Sequence, residues 1–317
     1  MDKFIFQIQR FDGEKKWLQR YELPYEPGKT VLWALTTIKD DLDPTLNFTS
    51  ACRHAICGSC GIKVNGHSFL SCKTSLDELV ETFKTKTLTF EPMGNFDVVR
   101  DLVIDWKPKM EKMKKVNPWL SPANHGSKSN GFIQSKEEAD AIAKPTDCIL
   151  CGACASECNQ LDVNDGSYLD PFIFNKAYRF LVDSRDNAPD ARLKPVVENG
   201  LWKCLHCNEC VTQCPKGIPL TDQIAYLRQR SMESGERNNQ GARHAYAFHD
   251  DVRSKGRLNE MMLPVKTDGV VKTVTKKIPF AYRMIAKGKI NPFHFPKKID
   301  GIEGVRKIYS ENEKERV

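Results

Sequence analysis

The chain has 317 residues, 40% of them hydrophobic and 28% charged, enough for two small packed domains and an extension. No run approaches the ~20 apolar residues that cross a bilayer, and the opening MDKFIFQIQRF has no apolar signal core, cleavage site or twin arginine, so the chain is expected neither to insert nor to export itself. The formal net charge of +7 lies wholly in residues 231–317, where 18 Lys and Arg face 11 Asp and Glu; such a tail suits anionic lipid or an acidic partner subunit, and without regularly interleaved aromatics it does not read as a nucleic-acid binder. Residues 3–9 alternate as a strand with Phe4, Phe6 and Ile8 on one face. Asp12-Gly13 predicts a hairpin turn into a second strand over Lys16–Leu23. Val31, Leu32, Leu35 and Ile38 predict a helix from Lys29 to about Lys39. After a glycine-rich cysteine loop come Ile62–Val64, the turn Asn65-Gly66, a strand into Cys72, and a closing strand over Thr85–Glu91. The expected product is a small mixed sheet with one helix packed across it.

From Val98 to about Lys144 the chain reads as a crossover, with Lys107-Pro108-Lys109 and Ser121–Gly131 as loops. Residues 136–143 predict a short helix, Ala177–Val182 and the Asp/Arg cluster up to Arg192 another, and Pro219–Arg230 a third. In the tail, Pro264, Pro279, Pro292 and Pro296 are expected to break any long helix. Phe280–Ile290 reads as a basic, partly amphipathic stretch.

All twelve cysteines fall into three sets of four. Cys52, Cys57, Cys60 and Cys72 have the spacing of a plant-type [2Fe–2S] site. Cys148, Cys151, Cys154, Cys158 and Cys204, Cys207, Cys210, Cys214 each have the bacterial ferredoxin spacing, with Pro215 following the last. Disulfides would call for an exported chain, and zinc does not call for runs of four cysteines ending C-x3-C. Thiolates suit a compact iron–sulfur core, and Gly58 and Gly61 are expected to allow positive φ and close backbone approach around Cys60. In paired motifs the fourth cysteine of each run ligates the other cluster. One [4Fe–4S] would then use Cys148, Cys151, Cys154 and Cys214, and the second would use Cys158, Cys204, Cys207 and Cys210. The domains implied are a [2Fe–2S] ferredoxin-like domain over 1–104, a linker over 105–139, a helical two-cluster domain over 140–230 and a basic extension over 231–317.

The segments CRHAICGSC, LSCKT, NFDVVRDLVID, CILCGAC, YRFLVDSRD and CPKG occur in an order that resembles the iron–sulfur subunits of succinate dehydrogenases and fumarate reductases. The resemblance runs from about residue 3 to residue 230; the tail has no counterpart on which to rely. It implies an α+β protein: an N-terminal β-grasp ferredoxin domain followed by an α-helical two-cluster domain. It implies a flavoprotein partner carrying FAD and the dicarboxylate site, and a membrane-anchor partner handling quinone. The chain would then sit peripherally on the inner membrane through its partners, on the cytoplasmic face by default, or on the periplasmic face if exported with the flavoprotein. Its role would be to pass single electrons through three clusters, with no catalytic residues of its own.

Departures from the family pattern sharpen this. Cys207 stands where most members lack a sulfur and hold a [3Fe–4S] cluster, so the second site is expected to be [4Fe–4S], with [3Fe–4S] the alternative. Asn159, Val163 and Leu205 stand where the usual quinone pocket has Pro, Trp and His. Both departures resemble the branch with a cysteine-rich anchor subunit, which includes methylmenaquinol:fumarate reductases. Ala55 replaces a common glycine. His206 reads as a peripheral histidine or else a proton donor near quinone, His54 as a surface or subunit-interface histidine, and Arg179 and Arg185 as partners either of the negatively charged clusters or of Asp183 or Asp186. The competing functions are an iron–sulfur subunit of another flavin-dependent dehydrogenase and a free multi-cluster ferredoxin. The first usually lacks a [2Fe–2S] domain, and the second needs no long basic tail.

Overall fold

The computed structural model describes residues 3–122, 129, 131–164, 166–289, 291 and 296–315. Its chain forms two compact units, 1–227 and 228–317. In the first, five strands, β1 (Lys3–Phe11), β2 (Lys16–Pro24), β3 (Gly61–Val64), β4 (His67–Leu70) and β5 (Thr87–Glu91), make one sheet in the order β2-β1-β5-β3-β4. The β1–β5 pair is parallel and the others are antiparallel. Phe4, Phe6 and Ile8 are fully buried, as the alternation required, and pack with Leu88 and Phe90 of β5. The helix Val31–Thr37 is capped by the Thr30 hydroxyl and buries Val31, Ala34 and Leu35.

A second helix, Leu76–Phe83, also contributes to this core, where a single helix was expected. The Ser75 hydroxyl accepts from the Glu78 amide at 3.0 Å, and Lys84 ends the helix in the left-handed region at φ 54°. The stretch read as a crossover begins instead with a hairpin, Asp97–Arg100 paired with Val103–Asp105. Its turn residue Asp101 has φ 46° and is buried. The Asp101 carboxylate accepts from Arg10 Nε at 2.9 Å, the Phe11 amide at 3.0 Å and the Asn47 amide at 2.9 Å. Burial alone would raise its pKa, but these donors hold it below the usual carboxylate range. The hairpin is thus pinned to the sheet through Arg10, whose guanidinium also meets Asp43 at 2.6 Å.

Lys107-Pro108-Lys109, expected as a loop, instead opens the helix Lys107–Lys114, because Pro108 lies in its first turn, where no amide bond is lost. It places the buried Lys109 ammonium 2.6 Å from the buried Asp170 carboxylate. Most of the loop expected over 121–131 lies outside the described residues. The helix Lys136–Thr146 carries a full capping box, Ser135 with Glu138. Pro171–Leu181 and Leu220–Glu233 bury Phe172, Ile173, Phe174, Ile224 and Leu227. The Asp/Arg cluster is not helical throughout: one helix stops at Leu181 and the next runs over Asp190–Glu198. Between them Asp183 accepts from Arg179 at 2.8 Å and Arg185 at 2.7 Å, and Asp186 pairs with buried Arg192 at 2.6 Å.

The second unit contains the helices Gln240–Lys255, Leu263–Asp268 and Ile302–Glu315, and a helical run over Val270–Ala286. Pro264 and Pro279 do not break helices, since each lies in a first turn; Pro292 lies outside the described residues. Gln240–Lys255 and Ile302–Glu315 are joined by Arg253–Glu313 at 2.6 Å. Ile299 lies so close to Gly256 that an added Cβ would fall 2.2 Å from its Cδ1.

Candidate cluster-binding sites

The first cysteine set is built on a loop whose amides turn toward sulfur. Cys52 Sγ accepts from the amides of His54, Ile56 and Cys57 at 3.4, 3.4 and 3.3 Å. Cys72 Sγ, delivered just after β4, accepts from the Ala55 amide at 3.2 Å. Arg53 and Ala55 are held at φ 58° and 55° to achieve this curl, a conformation that costs a non-glycine residue about 1–2 kcal/mol. The Ser59 hydroxyl and nearby amides lower the Cys57 thiol to about 6, whereas burial pushes Cys72 up to about 11. A row of N–H donors around sulfur favours the thiolate form that iron requires, so the donor set fits a cluster. Cys57 and His54 are exposed and Cys60 is buried, so the loop has one solvent-facing edge.

The other two sets share one backbone design. Leu150 and His206, each just before the second cysteine of a run, have φ 53° and 54°. Gly152 and Asn208, each just after it, have φ 83° and 66° and begin the short helices Ala153–Ser156 and Glu209–Thr212. Those helices bury Cys154 and Cys210. Burial holds Cys154 far above an ordinary thiol, with further contributions from Cys151, Cys148, Cys210 and Cys214. Burial likewise pushes Cys210 up to about 12, reinforced by Cys204, Cys158 and Cys207. Cys214 therefore lies in the electrostatic neighbourhood of the first run, and Cys158 in that of the second. A small cavity of about 20 Å³ is lined by Cys148, Cys151, Cys154, Cys214, Phe172 and Ile218. The Ile218 amide donates to Cys214 Sγ and the His206 amide to Cys204 Sγ, both at 3.4 Å. Thiols raised by burial and by mutual repulsion suit a positively charged iron core, which replaces their protons.

Tyr168 is a residue that the sequence reading passed over. It is buried against the second run; burial first, then the charges of Cys204 and Cys158, raise its phenol, and its hydroxyl bonds to Cys204. Arg179 and Arg185 engage Asp183, as expected.

The cysteine loops of the two halves meet backbone to backbone. A Cβ on Gly58 (φ 74°) would fall 2.5 Å from the Ile149 carbonyl oxygen and 2.9 Å from Cys151 Cα. Gly61 was expected to need positive φ, but it does not have it; its bare Cα is needed because a Cβ would fall 2.9 Å from the Cys151 oxygen. Beside this contact, the Asn95 side-chain amide donates to the carbonyls of Ala155, Ser156 and Cys158 at 2.9, 3.2 and 3.1 Å. Ser68 donates to Glu157 at 2.6 Å. No local sequence signal marks these contacts, since each joins residues distant along the chain.

Residues 5–111 match the family described as a 2Fe-2S iron-sulfur cluster binding domain, and residues 144–218 match a 4Fe-4S dicluster domain. The chain is 45% identical over 294 residues to the 8-methylmenaquinol:fumarate reductase iron-sulfur subunit of Wolinella succinogenes, covering 92% of this chain and 91% of that one. It is 34% identical to the mitochondrial succinate dehydrogenase [ubiquinone] iron-sulfur subunit of Dictyostelium discoideum, covering 72% of this chain and 82% of the relative. It is 37% identical to the fumarate reductase iron-sulfur subunit of Mycobacterium tuberculosis, covering 69% and 88%. In fold it is similar to a chain of the Mycobacterium smegmatis Sdh1 complex, with a TM-score of 0.67 and 23% identity, covering 74% of this chain and 98% of that one. The Wolinella match leaves far fewer residues unmatched than the tail contains, so the expectation that residues 231–317 lack a counterpart is overturned.

Proposed function

Because the chain belongs to the family of iron–sulfur subunits of succinate dehydrogenases and fumarate reductases, we propose that it carries single electrons between an FAD-containing, dicarboxylate-binding subunit and a quinone-handling anchor subunit that is cysteine-rich or membrane-embedded. In this reading Cys52, Cys57, Cys60 and Cys72 hold a [2Fe–2S] cluster. Cys148, Cys151, Cys154 and Cys214 hold one [4Fe–4S], and Cys158, Cys204, Cys207 and Cys210 hold a second. The clusters, when bound, supply one-electron oxidation and reduction. The protein's own part is to hold them, order them and set their surroundings. The amides around Cys52 and Cys72 stabilise the more negative state, and burial of Cys154 and Cys210 disfavours it. Residues 1–104 then serve as the ferredoxin-like domain, 105–139 as the linker, 140–230 as the two-cluster domain and 231–317 as the extension. Its partners hold the chain peripherally at the membrane.

The observation that carries the reading is the contact of Gly58 and Gly61 with Ile149 and Cys151. It brings the loop of the first cysteine set directly against that of the second, as a relay needs. Iron analysis and EPR of the anaerobically purified chain test it. About ten irons per chain are expected, and Cys207→Ser should create a [3Fe–4S] signal absent from the parent. A parent that already shows that signal stoichiometrically, and keeps it when iron is added, would contradict the assignment of the second site.

A further inference from the structure

The helical run in the second unit leaves its own side chains uncovered. Three consecutive pieces, Val270–Lys272, the wide turn Thr273–Lys277 and Ile278–Ala286, contain no buried residue. Yet the run is rich in large apolar side chains. Val271 is 78% exposed, Tyr282 71% and Phe280 57%, and Val270, Val274 and Ile278 are exposed as well. Val270, Val274, Ile278 and Tyr282 recur at strict four-residue spacing. In a regular α-helix that spacing drifts around the axis. The wide turn between Thr273 and Lys277 takes up the drift, which keeps these side chains in one stripe.

The charge around the stripe has a single sign. Residues 269–299 contain eight Lys and Arg and no Asp or Glu. Asp268 pairs with Lys272 at 3.5 Å and Lys277 at 2.5 Å. Among the described residues, Lys276, Arg283, Lys287 and Lys289 have no carboxylate within ion-pairing distance. None of the described helices is long and apolar enough to cross a membrane.

We propose that Val270–Ala286 lies in the surface of an anionic lipid bilayer, with its apolar stripe among the acyl chains and its lysines among the headgroups. A stripe of aliphatic and aromatic side chains flanked by cations matches the chemistry of an interfacial helix. Long basic side chains can bury their stems while their heads stay wet. A protein partner fits less well, because lysine is depleted from protein interfaces. The inference stands on the second unit alone and does not depend on the electron-transfer reading.

The test is co-sedimentation of the full, cluster-loaded chain with vesicles. Vesicles containing phosphatidylglycerol should carry the chain down at low salt and release it as salt rises. Vesicles of phosphatidylcholine alone should leave it in the supernatant. A variant combining Lys276→Gln, Arg283→Gln, Lys287→Gln and Lys289→Gln should bind at least about tenfold more weakly. Ile278→Asn with Tyr282→Asn should weaken binding also at low salt. All these side chains are exposed, so unchanged cluster content will show that the variants fold. Equal binding by the charge variant would overturn the proposal. So would a chain that sediments only when the anchor subunit is present in the vesicles, since the surface would then belong to a protein partner.

Discussion

The two cores of the first unit differ in what fills them. The core behind the sheet consists of Phe4, Phe6, Ile8, Leu35, Leu76, Phe90 and their neighbours, with no cysteine among its buried members. The core of the helical half counts Cys154, Cys158 and Cys210 among its buried residues, with Cys148, Cys204 and Cys214 packed against it. One half can bury its apolar surface without metal and adds the cluster loop at an edge. The other builds its interior around sulfur. On the proposed reading, stability and cluster binding are separable in the first half and coupled in the second.

The largest expected effect comes from removing the metal. Cys154→Ser, or chelation of the whole chain, should abolish cooperative unfolding of the helical half while the β1–β5 sheet still melts as a unit. Circular dichroism followed by limited proteolysis would check this; loss of both halves together would erase the distinction.

Next comes the buried ion pair of the helical half. The side chains of Arg192 and Asp186 are both fully buried, 2.6 Å apart, and Arg192 also donates to the Asn117 carbonyl. Arg192→Met leaves an unpaired buried carboxylate and should cost about 3–5 kcal/mol, measured by denaturant unfolding of the cluster-loaded chain. A loss under about 1 kcal/mol would mean that the pair is solvated.

The smallest effect is expected at Ala55. It sits at φ 55°, a conformation glycine adopts freely. Ala55→Gly should relieve about 1 kcal/mol of strain, partly offset by the added freedom of the unfolded chain. The check is thermal unfolding of the [2Fe–2S] half with the cluster bound; destabilisation would show that the methyl group contributes packing.

How much the sequence revealed follows the range of each interaction. Cysteine spacing, the Asp12-Gly13 and Asn65-Gly66 turns and the alternation in β1 are local, and they were read directly. Leu76–Phe83 was missed although Ser75-x-x-Glu78 is a start signal. The hairpin Asp97–Asp105 was missed because a register shift at Val98–Arg100 breaks its alternation. Lys107-Pro108-Lys109 reads as a loop because proline marks loops and first helical turns alike, and here Pro108 lies in a first turn. Gly61, Asn95 and Tyr168 carry no local mark at all. Each matters because a segment far along the chain is folded against it.

Reductive titration of the anaerobic, cluster-loaded chain, followed by EPR, tests the central claim most directly. The relay account predicts about three electrons taken up per chain, one for each centre, with no [3Fe–4S] signal in the oxidised protein. Uptake of only two, or an oxidised [3Fe–4S] signal at one per chain, would contradict it.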